Sequence, residues 1–237
     1  MPSWMVGVDT GGTFTDLIAV ERDTHAQRLA KVPSVPGDPS AAVRNALQRL
    51  LDGGVAPGDI TMFVHGTTVA TNALLESDGA RTGLLITRGF RAVYEARGWS
   101  QPRGSDLLDT FYRKPPLLVP QHLTEEVPER LDYRGAVLVP LDEEAVRRSV
   151  RRLAADGVEA IAVCFLFAFL NPEHERRAGR IIAEEAPRCR ISLSSAVLPV
   201  IREYPRLSTT VIDAYVGPKI GDYLGRLEAR LRDAGIV

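Results

Sequence analysis

The run Val6-Gly7-Val8-Asp9-Thr10-Gly11-Gly12-Thr13-Phe14-Thr15-Asp16 constrains the fold more than any other part of this 237-residue sequence. Apolar residues lead in (Met5, Val6, Val8) and lead out (Leu17, Ile18, Ala19, Val20), so the run reads as strand, glycine turn, strand. Glycines at a turn remove the Cβ atoms that would block close approach, and they permit positive φ. Backbone N–H groups in such a turn can face an anion, and the Thr10, Thr13 and Thr15 hydroxyls add donors. A carboxylate at the end of a strand, here Asp9, can hold a hydrated divalent cation against a phosphate. The competing reading is an ordinary β-hairpin whose Asp and Thr side chains only satisfy the turn. Carboxylates at Asp9 and Asp16 bracketing three threonines favour the phosphate loop.

Downstream, Gln27–Lys31 reads as a third strand of an antiparallel meander. Asp38 is placed to N-cap a helix with Pro39 at its first position, and Gly53-Gly54 ends that helix. A strand over Ile60–His65, a helix over Thr67–Ser77 and a strand over Thr82–Thr87 follow. The last third alternates helix from Asp142, strand Glu159–Phe165, helix from Asn171-Pro172 and strand Arg190–Ser194. A helical segment then starts at Ser208, breaks at Gly217-Pro218 and resumes from Lys219 to Leu231. Strands alternating with helices predict an α/β fold: a mixed sheet opened by the three-strand meander, with helices on both faces. Residues 96–122 are interrupted by Pro102, Gly104, Pro115, Pro116 and Pro120, without a clean period. They predict an irregular surface insertion, extending to about residue 140, with Phe111 and Tyr112 as packing anchors. Glu125–Leu131 and Ala136–Val139 read as a hairpin-like pair.

Charge narrows the function classes. Lys and Arg total 29 against 30 Asp and Glu, interspersed, which predicts neither a nucleic-acid face nor a lipid-binding one. The longest apolar stretch, Ala160–Leu170, is too short to span a bilayer, and no signal peptide is visible, so the expected compartment is the cytoplasm. Cys164 sits in an apolar run and reads as a reduced, buried thiol. A Gly-x-Ser-x-Gly elbow, a Walker lysine and a His/Cys cluster at metal-ligand spacing are all missing from the sequence. A Rossmann reading fails because a strand, not a helix, follows Gly11-Gly12.

A second constellation is His65-Gly66-Thr67-Thr68-Val69-Ala70-Thr71-Asn72. A strand ends, a glycine turns, and Thr67 and Thr68 stand where a helix begins, with Asn72 near its second turn. The plainer reading is capping chemistry with His65 as a satisfied core histidine. Arg88 and Arg91 follow another strand end and could meet a carboxylate or phosphate, or simply face solvent. Glu203 and Arg206 are expected to pair with each other, and Ser208–Thr210 to cap the helix that follows.

Taken in order, Asp-Thr-Gly-Gly-Thr-Phe-Thr-Asp at 9–16 and His-Gly-Thr-Thr-x-x-Thr-Asn-Ala-Leu-Leu-Glu at 65–76 resemble the N-terminal region of the hydantoinase A / 5-oxoprolinase / acetone carboxylase β-subunit family. So do Leu-Ile-Thr-Arg-Gly-Phe-Arg at 85–91, Val-Pro-Glu-Arg-Leu at 127–131 and Phe-Leu-Asn-Pro-Glu-His-Glu at 169–175. Arg-Glu-Tyr with Ser-Thr-Thr-Val at 202–211 completes the pattern. The resemblance implies one half of an actin-like, ribonuclease-H-like ATPase that uses ATP and Mg²⁺ to activate a substrate oxygen. It implies an ATP-dependent amidohydrolase opening a small-molecule lactam or hydantoin ring, with a ketone carboxylase subunit as the alternative. A non-catalytic nucleotide-binding scaffold is the alternative of another class. Carried over by motif, Asp9 is the metal-side carboxylate and Asp16 its catalytic companion. Gly11, Gly12, Thr13 and Thr15 hold phosphates, and His65, Thr67, Thr68, Asn72 and Arg88 serve the substrate. The resemblance further implies a domain over residues 1–207 and a helical segment over 208–237 leading to a missing C-terminal ATPase half. It also implies a hydantoinase B-like partner subunit and is compatible with a homo-oligomer.

Overall fold

A computed structural model of the chain describes residues 2–35, 37–96 and 116–236. They fall into two compact units, Met1–Asp78 with Lys219–Val237, and Gly79–Pro218. Phe111 and Tyr112, the expected anchors of the irregular segment, lie outside the described residues, as do Pro102, Gly104 and Pro115.

In the first unit, strands β1 (Trp4–Thr10), β2 (Phe14–Glu21) and β3 (Gln27–Pro33) form the expected antiparallel meander. Strand β4 (Ile60–Thr67) adds parallel to β1, giving the order β3-β2-β1-β4. Side chains alternate across a strand, so Trp4, Val6, Val8, Leu17 and Ala19 are buried on one face. Helix α1 (Pro39–Asp52) covers that face with Ala42, Val43, Ala46, Leu47 and Leu50. Tyr223, Leu227 and Leu231 join them from the end of the last helix, α7 (Glu203–Asp233). On the opposite face Met5, Ile18, Leu29, Met62 and Val64 are exposed. Asp9, Asp16 and Lys31 share that face, around a depression of about 670 Å³.

The second unit holds a parallel sheet of β5 (Thr82–Thr87), β6 (Thr124–Val127), β9 (Ala160–Cys164) and β10 (Arg190–Leu193), in the order β10-β9-β5-β6. Strands β5 and β9 are buried along their whole length, which requires cover on both faces. Besides the short helices α3 (Arg91–Ala96) and α6 (Ser194–Val197), helices α4 (Glu143–Ala155) and α5 (Glu173–Glu185) belong to this unit, and the last two supply Val146, Val150, Leu153, Ala178 and Ile181 to its core. The opening turns of α7 supply Leu207, Val211 and Ala214. The expected hairpin-like pair splits: Thr124–Val127 joins the parallel sheet, and only β7 (Arg130–Leu131) pairs with β8 (Val137–Val139). Among the described residues no helix is long and apolar enough to cross a membrane.

Four local expectations need correction. Helix α7 runs unbroken through Gly217-Pro218. An interior proline costs roughly 3 kcal/mol, and burial of large apolar side chains on both sides of it outweighs that loss. Ser208, Thr209 and Thr210 therefore lie inside the helix, and their hydroxyls donate back to the Pro205 and Arg206 carbonyls instead of capping. Arg206 does not pair with Glu203; its Nη2 donates to the Phe165 carbonyl at 2.7 Å, deep in the second core. Asp38 does occupy the N-cap position with Pro39 after it, but its carboxylate caps nothing. It instead accepts a bidentate pair from Arg230, at 3.0 and 2.6 Å, and the Ser40 hydroxyl at 2.7 Å.

These contacts set an acid limit. The Arg230 guanidinium holds the Asp38 carboxyl well below the usual carboxylate range. The hydroxyl and N–H of Thr24 bring Glu21 down to about 2. A carboxyl whose folded pKa is depressed adds stability above its unfolded pKa and loses it as pH falls toward the folded value. Thermal unfolding midpoints are therefore expected to drop as pH falls from 4.5 to about 2. Arg230→Gln should flatten the part of that drop due to Asp38. A midpoint constant across the window would reject both assignments.

Candidate functional site

The turn between β1 and β2 is pinned from below. Gly11 N–H donates to the Phe14 carbonyl at 3.0 Å, and Ser34 N–H donates to the Thr13 carbonyl at 2.9 Å. The Ser34 hydroxyl donates to the Gly11 carbonyl at 2.7 Å and lies 3.3 Å from the fully buried Thr15 hydroxyl. Thr15 thus supports the turn from inside. Gly12 faces open space, since a Cβ there would meet nothing within 4 Å. Pinned carbonyls with an open glycine are the backbone state that lets a ligand approach closely.

Register brings the two carboxylates together. Asp9 opposes Asp16 across the antiparallel pair and Gly66 across the parallel one. A Cβ at Gly66 would stand 3.3 Å from Asp9 Oδ1, so glycine leaves that carboxylate its room. Asp16 accepts Lys31 Nζ at 2.9 and 3.1 Å, with both side chains more than half exposed. Such a pair contributes little stability, yet it places one cation beside two carboxylates. Among the described residues no three His, Cys, Asp or Glu side chains cluster as a metal site. Mg²⁺ needs no such cluster: it is usually held by one or two carboxylates, waters and substrate phosphates, and Asp9 with Asp16 fits that donor set.

On β4, His65 turns toward the covered face, where its Nε2 meets the Tyr223 hydroxyl of α7. Burial pushes the imidazole pKa down, against the opposing pull of the Val8 carbonyl and of Asp9. Its Nδ1 is buried without a hydrogen-bond partner. Thr68 N–H reaches the Thr10 carbonyl at 3.5 Å, and Thr67 Oγ1 accepts from Val69 N–H at 3.3 Å. Helix α2 (Val69–Leu75) starts there, shorter than expected, and Asn72 Nδ2 donates to Thr68 Oγ1 at 3.3 Å. Asp9, Gly11, Gly12, Thr13, Thr15, Asp16, His65, Thr67, Thr68 and Asn72 all belong to the first unit. Arg88 belongs to the second, exposed beyond β5, with its backbone N–H donating to the Val127 carbonyl at 2.9 Å. Arg91 is engaged with Glu95 and the Gln121 carbonyl.

Within the first unit a cavity of about 320 Å³ is bounded by Gly11, Gly12, Thr68 and Asn72. Its other wall is Lys219, Tyr223 and Arg226 of α7, which the sequence reading passed over. The signal was present: spacing of four and then three residues puts 219, 223 and 226 on one helical face. Nothing local links that face to a turn two hundred residues earlier.

Comparison with known proteins adds to this geometry. A family model described as the hydantoinase/oxoprolinase N-terminal region matches residues 5–186. The caprolactamase subunit alpha of Pseudomonas jessenii is 36% identical over 98% of this chain and 34% of its own length. The crystal structure of the ATP-dependent caprolactamase from Pseudomonas jessenii superposes with a TM-score of 0.88 at 35% identity, over 98% of this chain and 34% of that one. A nucleotide-free structure of acetone carboxylase, studied for ATP-dependent acetone carboxylation, also gives 0.88, at 27% identity over 99% and 35%. The chain spans about a third of the length of these relatives.

Proposed function

Since the chain belongs to the hydantoinase/oxoprolinase N-terminal region family and has the actin-like ATPase-type fold of its structural neighbours, we propose that it is the phosphate-binding part of a longer ATP-dependent enzyme that opens a lactam or hydantoin ring. The observation carrying this reading is the pairing of an open glycine turn with Asp9, whose carboxylate is given space by Gly66. In this proposal Asp9 holds Mg²⁺ through water, and Asp16, tied to Lys31, sets the charge beside it. The Gly11, Gly12 and Thr13 backbone faces the phosphates, with Thr15 as internal support. Bound MgATP would supply the phosphoryl group that activates a substrate oxygen. Phosphoryl transfer asks the protein mainly for alignment and charge stabilisation, which fits a site without a covalent nucleophile.

Thr67, Thr68 and Asn72 then stand on the substrate side, and His65 acts there through Tyr223; Arg88, in the second unit, is a separate candidate for binding a substrate anion. Residues 1–207 form the N-terminal domain of this longer enzyme, and 208–237 lead toward a further ATPase half. A hydantoinase B-like partner fits the naming of the Pseudomonas relative as a subunit alpha. A ketone carboxylase is the second reading, favoured by the equally close superposition on acetone carboxylase.

Calorimetric titration of this chain with ATP, with and without Mg²⁺, and with adenosine tests the proposal. Saturable ATP binding strengthened by Mg²⁺ is expected, with none for adenosine. No saturable ATP binding, or binding indifferent to Mg²⁺, would reject it. The chain alone is expected to hydrolyse ATP poorly, and ATP-dependent ring opening by these 237 residues would overturn the need for a further half.

A further inference from the structure

Four of the sequence motifs that the phosphate site leaves unused meet at the carboxyl end of the second unit's sheet. Thr87 and Phe90 come from the 85–91 run, Glu129 from 127–131, His174 and Glu175 from 169–175, and Glu203 with Arg206 from 202–211. The Thr87 hydroxyl donates to Glu129 and accepts Leu166 N–H at 2.8 Å, and the other Glu129 oxygen lies 2.8 Å from His174 Nδ1. The strands are parallel in the order β10-β9-β5-β6, so the chain leaves β5 toward β6 on one side and returns to β9 on the other. In open α/β sheets the crevice at such a reversal, beyond the carboxyl ends of the strands, is where ligands sit.

At that reversal lies a cavity walled by Thr87, Phe90, Cys164, Leu166, Glu203 and Arg206. Its volume is about 10 Å³, a single water position, which leaves out a carboxylate, a phosphate or a ring. Arg206 is fully buried and spends two of its nitrogens on carbonyls, Nη2 on Phe165 at 2.7 Å and Nη1 on Val200 at 3.4 Å. Its Nε is buried without a hydrogen-bond partner. A bare buried N–H costs more than one hydrogen bond is worth, so a partner is expected. Glu203 has no ion pair or side-chain hydrogen bond among the described residues. Burial pushes the Cys164 thiol up to about 11, against the pull of Arg206, so it stays a neutral S–H. A cationic N–H on one wall, a carboxylate on another and room for one oxygen select a neutral group that both accepts and donates.

We propose that this cavity binds one ordered water, which accepts Arg206 Nε–H and donates to the Glu203 carboxylate. The water completes the hydrogen bonding of a guanidinium that the second core otherwise buries with one N–H bare. It also holds the two charges apart while letting each be solvated, which a direct contact with an anion would not do. The inference concerns the second unit alone and is independent of the phosphate site in the first.

A crystal structure of the chain that resolves ordered waters, together with NMR of the Arg206 side chain, tests this. Density for one water within hydrogen-bonding distance of Nε is expected, and an Nε–H signal with a cross-peak to a long-lived water. Both are read on the wild type and depend on no variant folding. Glu203→Ala removes the water's acceptor and should speed exchange of that N–H about tenfold, the worth of one hydrogen bond. Glu203→Gln keeps an acceptor oxygen and should change the exchange much less. Sodium formate should leave the Nε–H signal where it is. Clear density for Arg206 with no water at Nε would overturn the proposal, as would an exchange rate that Glu203→Ala leaves unchanged. A saturable shift of the signal by formate would overturn it too, and would make the cavity an anion site.

Discussion

Replacing Glu175 with alanine is expected to destabilise the second unit by roughly 3–5 kcal/mol. This side chain is completely buried, at the carboxyl end of the parallel sheet. It accepts Phe165 N–H at 2.9 Å, the Ser194 hydroxyl at 2.6 Å and Ser195 N–H at 2.8 Å. Burial raises its pKa, and the three donors, Ser194 foremost, act against that rise. From the other side, Arg206 Nη2 takes the Phe165 carbonyl, and its guanidinium lies 5.3 Å from the centre of the Phe169 ring. Two buried side chains thus hold one residue, the N–H of Phe165 on Glu175 and its C=O on Arg206. Alanine leaves three donors without an acceptor and opens a void, and both effects belong to the short list of mechanisms behind large losses. Glu175→Gln keeps the volume and one acceptor oxygen, so it should lose markedly less. Urea unfolding of both variants provides the comparison. A loss below about 1 kcal/mol for the alanine variant would show that Glu175 does not organise this end of the sheet.

Asp9→Asn is expected to have the largest effect on function. In a longer protein carrying this region, ATP-dependent turnover should fall by at least about 10²-fold, the scale of losing one electrostatic contribution to a transition state. Asparagine preserves shape, and Asp9 lies on the open face of β1 beside Gly66, so the fold should not change. ATP binding without Mg²⁺ should stay near wild type, whereas its strengthening by Mg²⁺ should disappear, because the lost charge is the one assigned to the metal. Unchanged turnover together with an unchanged Mg²⁺ effect would move the metal-side carboxylate elsewhere. Asp16→Asn offers a contrast. It frees Lys31 from its exposed pair, and the stability change should be under about 1 kcal/mol.

Much of this site was legible because it is local. Strand, glycine turn and strand lie within residues 4–21, so alternation and turn chemistry put Asp9 and Asp16 on one face without help from distant residues. The meander, α1 and the alternating strands and helices of the last third follow from period and punctuation in the same way. Errors gathered where side chains had a choice of partner. Asp38 had the right position for a cap, but Arg230, 192 residues away, takes its carboxylate. Glu203 was the nearest acid to Arg206, but the buried Phe165 carbonyl takes the guanidinium. The proline in α7 promised a break that cores on both sides of it do not allow.

Sequence by itself determined the strand, glycine turn and strand that open the chain and its α/β character, because each depends on residues within a few positions of one another. Tertiary structure alone decided that Lys219, Tyr223 and Arg226 face Gly11 and Gly12, that His65 Nε2 meets the Tyr223 hydroxyl, and that Glu175 and Arg206 share Phe165. These depend on which distant groups burial forces together. A buried polar group takes whichever partner the packed core brings within hydrogen-bonding distance, and spacing along the chain does not encode that distance.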